Sequence, residues 1–195
     1  MDRSVIWEQG EVPRRSFMDL GPRKAATFLT PEVFVEEPEI AEQALEVLKD
    51  VAWTNTIEKL DKAIESIRIL GKSLSTDLFD ANPVLAKKVL TIFRGGFDSN
   101  SVSVRIATIK EAYNIIVSSV DESTHRKSAD ILAPLLFEVC NAQEHNDLCV
   151  IDVANRVWSE IQEKFPKEDQ SPYSKFEIDS LVQTILKTDV EEEAV

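Results

Sequence analysis

Three side chains able to bind a metal or to act in nucleophilic catalysis lie close together in the sequence: Cys140, His145 and Cys149. Their spacing, C-x4-H-x3-C, offers three ligands, whereas a closed structural zinc site needs four. Cys140, His145 and Asp147 also have the residue types of a thiol nucleophile with a base, but nothing near them indicates a base-oriented thiolate. Cys140 follows an apolar stretch and Cys149 precedes Val150, so we interpret both cysteines as small, buried hydrophobic side chains.

Phosphate binding and acid–base catalysis are not indicated either. Gly95-Gly96 lacks the G-x-x-x-x-G-K context of a phosphate loop and follows a helical pattern, which predicts a turn between helices. The paired carboxylates, such as Glu36-Glu37, have the pattern of solvated side chains rather than of groups in a water-poor cleft. We therefore predict no catalytic residue, no metal ligand and no cofactor, and the sequence does not name the residues that bind a protein.

The composition and charge of the chain limit the classes of molecule that it is expected to bind. The chain has 195 residues, of which 43% are hydrophobic and 29% charged, enough for one domain with a sizeable core. Lys and Arg total 22 against 35 Asp and Glu, for a net charge of −13. Nucleic acid and anionic membranes both require a cationic surface, so neither is expected as a partner. Protein partners are expected instead.

The location of the protein in the cell is predicted from three features that the sequence lacks. No apolar run approaches the roughly 20 residues that span a bilayer. The N-terminus lacks the basic and apolar regions of a signal peptide, and two cysteines are too few for a disulfide scaffold. We expect a soluble protein of the cytoplasm, with the nucleus as a second location.

The distribution of prolines and charges divides the chain into three parts. Four of the eight prolines fall in the first 38 residues, which predicts an irregular arm over residues 1–36. Residues 37–188 have the helical period, and residues 189–195 form an acidic tail. The arm is too apolar for a free tail and is expected to dock onto the body or a partner through its aromatic residues, Trp7, Phe17, Phe28 and Phe34.

The fold class is predicted to be all-α, because no segment shows sustained alternation of period two. Apolar stripes at helical spacing indicate seven helices in residues 37–188. They cover about 39–50, 54–71, 83–94, 101–120, 123–141, 146–165 and a last stretch in which Phe176, Ile178, Leu181, Val182, Ile185 and Leu186 face inward.

A repeat of 44 to 46 residues organises these helices. The apolar set Val104, Ala107, Ala112, Ile115 recurs 46 residues later as Val150, Val153, Trp158, Ile161, and a similar set starts 44 residues earlier at Leu60. A unit of two helices and about 40–47 residues is typical of HEAT and armadillo arrays. We predict a HEAT/armadillo-like α-solenoid of about three helix pairs; the alternative is a helical bundle without repeats.

The fourth helix also resembles the HEAT consensus in its residue types. Asp98 precedes it, Val104-Arg105 opens it, and the small residues Ala107 and Ala112 follow. Small residues allow neighbouring helices to approach closely. An Asp–Arg pair can connect adjacent inter-helix turns.

Among HEAT proteins, residues 65–165 resemble the C-terminal repeats of the large proteasome-associated adaptor and scaffold family. The resemblance rests on Ile69-Leu70-Gly71-Lys72 at the end of one helix and on residues 97–105 at the start of the next. It implies a non-enzymatic scaffold that bridges the proteasome core and regulatory particles and links them to other cellular machinery. The chain is much shorter than members of that family, and no functional residue carries over.

Two alternatives from other classes remain. The tubulin-binding TOG domains carry an aromatic residue in an inter-helix turn beside basic residues, and Trp53 occupies such a position here. Its neighbours Asp50, Thr54 and Asn55 are not basic, which favours a packing role for Trp53. The second alternative is a small metalloprotein or enzyme that uses Cys140, His145 and Cys149.

Overall fold

The computed structural model describes residues 21–53, 59–121 and 129–191; for 119–121 and 188–191 it describes the backbone alone. Within these ranges the chain is all-helical and has no β-strand, which confirms the predicted fold class. None of the described helices combines the length and apolarity that crossing a membrane requires. The helices are α1 (Pro22–Ala25), α2 (Pro31–Glu36), α3 (Pro38–Ala52), α4 (Leu60–Ser73), α5 (Thr76–Ala81), α6 (Pro83–Arg94), α7 (Val102–Asp121), α8 (Ala129–Ala142), α9 (Leu148–Lys164) and α10 (Ile178–Glu191).

Helix contacts follow two series along the chain. In the first series, α4 packs against α7, and α7 packs against α9. In the second, α3 packs against α6, α6 contacts α8, and α8 packs against α10. The pairs α3–α4, α4–α6, α7–α8 and α8–α9 connect the two series. Each long helix therefore buries its apolar stripe against several neighbours.

Local signals set most helix ends where the sequence predicts them. The side chain of Asn82 accepts a hydrogen bond from the Leu85 N–H at 3.2 Å, and Pro83 occupies the first position of α6, where its missing N–H costs nothing. The same helix ends at Arg94, directly before Gly95-Gly96. The predicted starts of α4 and α8, and the last residues of the acidic tail, lie outside the described ranges.

Two features of the helical region differ from the prediction. The six-residue helix α5 was not predicted; the side chain of Ser75 caps it by accepting from the Leu78 N–H at 3.2 Å. Phe176 does not belong to the inward face of the last helix. It lies in a 3₁₀ turn over 175–177 that precedes α10 and is 96% exposed, whereas Ile178 and Leu181 are buried as expected.

The described part of the N-terminal arm is more regular than expected. It forms α1, a 3₁₀ turn over 26–28 and α2, which begins after Thr30. Phe34 is fully buried against the body and Phe28 is half-buried. The Asn82 side chain donates a hydrogen bond to the Phe34 carbonyl at 3.1 Å. Trp7 and Phe17 lie outside the described residues.

Glycines allow the close approach of α4, α7 and the turn before α7. A Cβ placed on Gly71 would lie 2.6 Å from Cγ of Glu111, on α7. A Cβ on Gly96 would collide with Oγ1 of Thr108 and lie 2.8 Å from Cδ1 of Ile67. The apolar register that defines the repeat is buried at most positions of α7 and α9, but in α4 Leu60 and Ile64 are only half-buried.

Replacing Gly96 with alanine should destabilise the protein by about 1–3 kcal/mol, because the added methyl group overpacks a buried contact. Urea denaturation followed by circular dichroism measures the change. The matched control is Gly21→Ala, since a Cβ at the exposed Gly21 meets no atom within 4 Å. That variant should stay within about 1 kcal/mol of the parent chain. Equal unfolding midpoints for the two variants would contradict the packing described.

Candidate functional site

The cysteine–histidine group does not converge on a common point. Cys140 lies on the buried face of α8, whereas Cys149 lies in the first turn of α9 and is exposed, so the prediction that both cysteines are buried was wrong for Cys149. His145 is tied to the adjacent turn: its Nδ1 accepts the N–H of Asp147 at 2.9 Å. In the part of the chain that the structure describes, no three His, Cys, Asp or Glu side chains are arranged to hold a metal ion.

Asp147 stabilises the start of α9 and contacts α7. Its Oδ1 accepts the N–H groups of Cys149 at 2.9 Å and Val150 at 3.3 Å, which satisfies two of the free donors at the start of α9. Its Oδ2 lies 4.0 Å from Nη2 of Arg105 on α7. The carboxylate therefore caps one helix and connects it to another, and it does not orient His145 as a base.

The Arg105–Asp147 pair is the contact made by one of the α7 residues that resemble the HEAT consensus. Arg105 donates to the carbonyl oxygen of Ser99, in the turn before its own helix, and reaches Asp147 at the start of the next helix of the same series. Asp98 is exposed and does not pair with Arg105. The Asp–Arg connection thus runs from one inter-helix turn to the following one.

Trp53 lies at the end of α3 and combines packing with exposure. Its indole N–H donates to the Ile92 carbonyl at 3.2 Å, and the ring lies so close to Gly95 that a Cβ there would be 2.6 Å from Nε1. Lys49 Nζ is 5.5 Å from the ring centroid. The packing role that the sequence favoured is present, yet 43% of the side chain is exposed.

Beside Trp53 the surface forms a pocket of about 300 Å³, which we call the tryptophan pocket. Its lining residues are Trp53, Gly95, Asp98, Ser99 and Asn100. One aromatic wall comes from α3, and the polar residues come from the turn between α6 and α7. The volume is at the lower limit of small-molecule sites and suits a single side chain.

A second, larger cavity of about 580 Å³ lies between the 29–31 segment, the end of α4, α5 and α7. Its lining mixes both charges, from Lys72, Asp77 and Glu111, with small polar side chains. Two of its hydroxyl groups are engaged locally: Ser73 donates to the Ile69 carbonyl at 2.9 Å, and Ser75 accepts from the Leu78 N–H at 3.2 Å.

Ion pairs and exposed aromatic residues continue along the second series of helices. Arg94 of α6 binds Glu138 of α8. Phe137, next to Glu138, is 42% exposed, and Lys175 Nζ lies 5.5 Å from its ring centroid. Phe176, which follows Lys175 in the sequence, is 96% exposed, and we give these three residues one name, the aromatic patch: Phe137, Lys175 and Phe176. The sequence did not identify it, because Phe176 matched the apolar stripe of the last helix.

The two thiols should differ in reactivity. Burial raises the pKa of Cys140, which lowers its thiolate fraction at a given pH, and the side chain is only 8% exposed. Iodoacetamide should therefore modify Cys149 in the folded protein and reach Cys140 only after denaturation. Peptide mapping by mass spectrometry measures both rates, with Cys149→Ser as the control. Equal rates in the folded state would contradict the placement of Cys140.

Comparison of the chain with models of known protein families, with curated proteins and with solved structures finds no match.

Proposed function

We propose that this chain is a non-enzymatic protein-interaction scaffold built from HEAT-like helix pairs that stack on one another. The observation that carries the proposal is a set of contacts between helices that recur at the period of the sequence repeat. The side chains described offer exposed aromatic and charged surface, and no nucleophile–base pair lines either cavity. Such a surface suits recognition of proteins better than catalysis.

Among the described residues, five ion pairs join side chains that are 42 to 46 positions apart. They are Arg23–Glu65, Lys88–Glu42, Lys88–Glu46, Arg94–Glu138 and Arg105–Asp147. The pairs range from exposed, as in Arg23–Glu65, to half-buried, as in Arg105–Asp147. An exposed pair contributes only about 0.2–1 kcal/mol, so we use the pairs as evidence of register and not of stability. A separation close to the repeat of 44 to 46 residues is expected when a pair joins corresponding positions in neighbouring units, and Arg23 of the arm helix α1 makes a pair of similar spacing with Glu65. This supports a solenoid over a bundle without repeats.

The order of helix contacts supports the same proposal. In each series a helix contacts the preceding and the following member, as repeat units do when each touches only its neighbours. The arm helices α1 and α2 pack against the first units, where an array needs a cap. The predicted boundaries, residues 37–188 for the repeats and 189–195 for the tail, stay predictions.

The partner we propose is the proteasome, through the resemblance of residues 65–165 to the adaptor and scaffold family. This chain would link proteasome particles to other components of the cytoplasm or nucleus. The net charge of −13 calls for a partner surface with basic patches, and association of that kind weakens as salt rises.

Affinity purification of the tagged full chain should enrich proteasome core and regulatory subunits, measured by quantitative mass spectrometry. Recovery should fall as the salt concentration rises from about 50 to 300 mM. An unrelated protein of similar size and equal net charge controls for non-specific attraction. Absence of proteasome subunits at low salt, or equal recovery with the control protein, would contradict the proposal.

The aromatic patch should contribute to that recovery. Phe176→Ser removes a side chain that is 96% exposed, so folding should be unaffected, while capture should fall severalfold. Val84→Ser is the matched control, because Val84 is 78% exposed and lies at the start of α6, away from the patch. Loss of capture in both variants, or in neither, would argue against the patch as a contact.

A further inference from the structure

We propose that the tryptophan pocket binds an arginine side chain of a protein partner. The pocket brings together a partly exposed indole ring, a carboxylate and a side-chain amide, from Trp53, Asp98 and Asn100. A guanidinium is planar and weakly hydrated, stacks on an aromatic ring and donates two parallel hydrogen bonds to a carboxylate. The indole ring, the carboxylate and the amide of the pocket therefore provide the contacts that a guanidinium makes.

The walls of the pocket are held in place before any ligand arrives. The hydrogen bond from the Trp53 indole to the Ile92 carbonyl fixes the ring, and Gly95 lets the ring lie against the turn. Ser99, a buried lining residue, accepts hydrogen bonds from Arg105 at its carbonyl oxygen and from the Ser101 N–H at its hydroxyl. A rigid site loses little conformational entropy when a side chain enters it.

Asp98 supplies a charge that this part of the fold does not use. Its carboxylate is exposed and forms no ion pair with any residue in the described ranges. The neighbouring cation is Lys49: its Nζ lies 5.5 Å from the centroid of the Trp53 ring, but its charge is paired with Glu46 at 3.1 Å and it does not line the pocket. A carboxylate without a partner beside an aromatic ring favours a cation supplied by another molecule.

The volume and the net charge indicate which molecule supplies it. A pocket of about 300 Å³ accepts one long side chain rather than a whole cofactor. The negative net charge attracts a basic polypeptide, and the open rim leaves room for its backbone. The inference rests on the proposed scaffold function and names the side chain that the scaffold would recognise at this position.

The test is a titration of the ¹⁵N-labelled full chain with a blocked peptide, acetyl-Gly-Ser-Arg-Ser-Gly-amide. The indole N–H resonance of Trp53, assigned with the Trp53→Phe variant, reports binding. The arginine peptide should shift this resonance saturably, and the citrulline peptide, which has nearly the same shape without the charge, should not. Equal shifts with both peptides, or no shift with either, would overturn the proposal.

Two carboxylate variants separate the pocket from general attraction. Asp98→Asn should weaken binding of the arginine peptide about tenfold, the scale of one charge-assisted hydrogen bond. Asp77→Asn removes the same charge from an exposed carboxylate of α5 and should change binding by less than about twofold. Equal losses in the two variants would show non-specific attraction and overturn the proposal.

Free L-arginine distinguishes a partner site from a small-molecule site. The peptide should bind more tightly than the free amino acid, because flanking backbone also contacts the rim; equal or tighter binding of the amino acid would overturn the assignment to a protein partner. The titration requires no proteasome. Its failure therefore leaves the scaffold proposal standing, and failed capture of proteasome subunits leaves the arginine site standing.

Discussion

The close approach of α4, α7 and the turn between α6 and α7 is the constraint on which the rest of the structure depends. A Cβ at Gly96 would collide with Thr108 and Ile67, and one at Gly71 would displace the side chain of Glu111. Because the helices meet at this distance, α7 has one face for α4 and another for α9. The same turn carries Ser99, which receives Arg105, and Asp98, which remains exposed. The tight packing of this turn at Gly96 therefore sets the positions of Ser99 and Asp98.

The tryptophan pocket also depends on close packing at a glycine. Trp53 directly follows α3, and the missing side chain of Gly95 allows its ring to lie against the turn after α6. The indole is thereby both a packing residue and the wall of a surface pocket. Several other charged side chains pair across neighbouring helices, as Arg94 does with Glu138. The carboxylate of Asp98 has no such partner among the described residues and lines the pocket beside Trp53, which is the basis for proposing a recognition site there.

Local patterns predicted much of the fold, and contacts between distant residues account for what they missed. Asn82-Pro83 and Gly95-Gly96 bound α6 correctly because caps and turns depend on neighbouring residues. The helix α5 has six residues, too few for a helical period to be visible. Phe176 fitted an apolar stripe by spacing, but the 3₁₀ turn over 175–177 directs it outward. The pocket joins residues about 45 positions apart, which no local pattern reveals.

The most direct test of the account is the distance between α4 and α9. Spin labels can be attached at Arg68→Cys and Arg156→Cys, both exposed positions, in a Cys149→Ser background. Dipolar electron paramagnetic resonance then measures the distance between the two labels. If α7 lies between the two helices, their axes are two helix spacings apart, about 16–20 Å, and the labels should give a distribution centred in or beyond that range. A distance near one helix spacing, about 8–10 Å, would mean that α4 and α9 pack directly and would contradict the stacked arrangement.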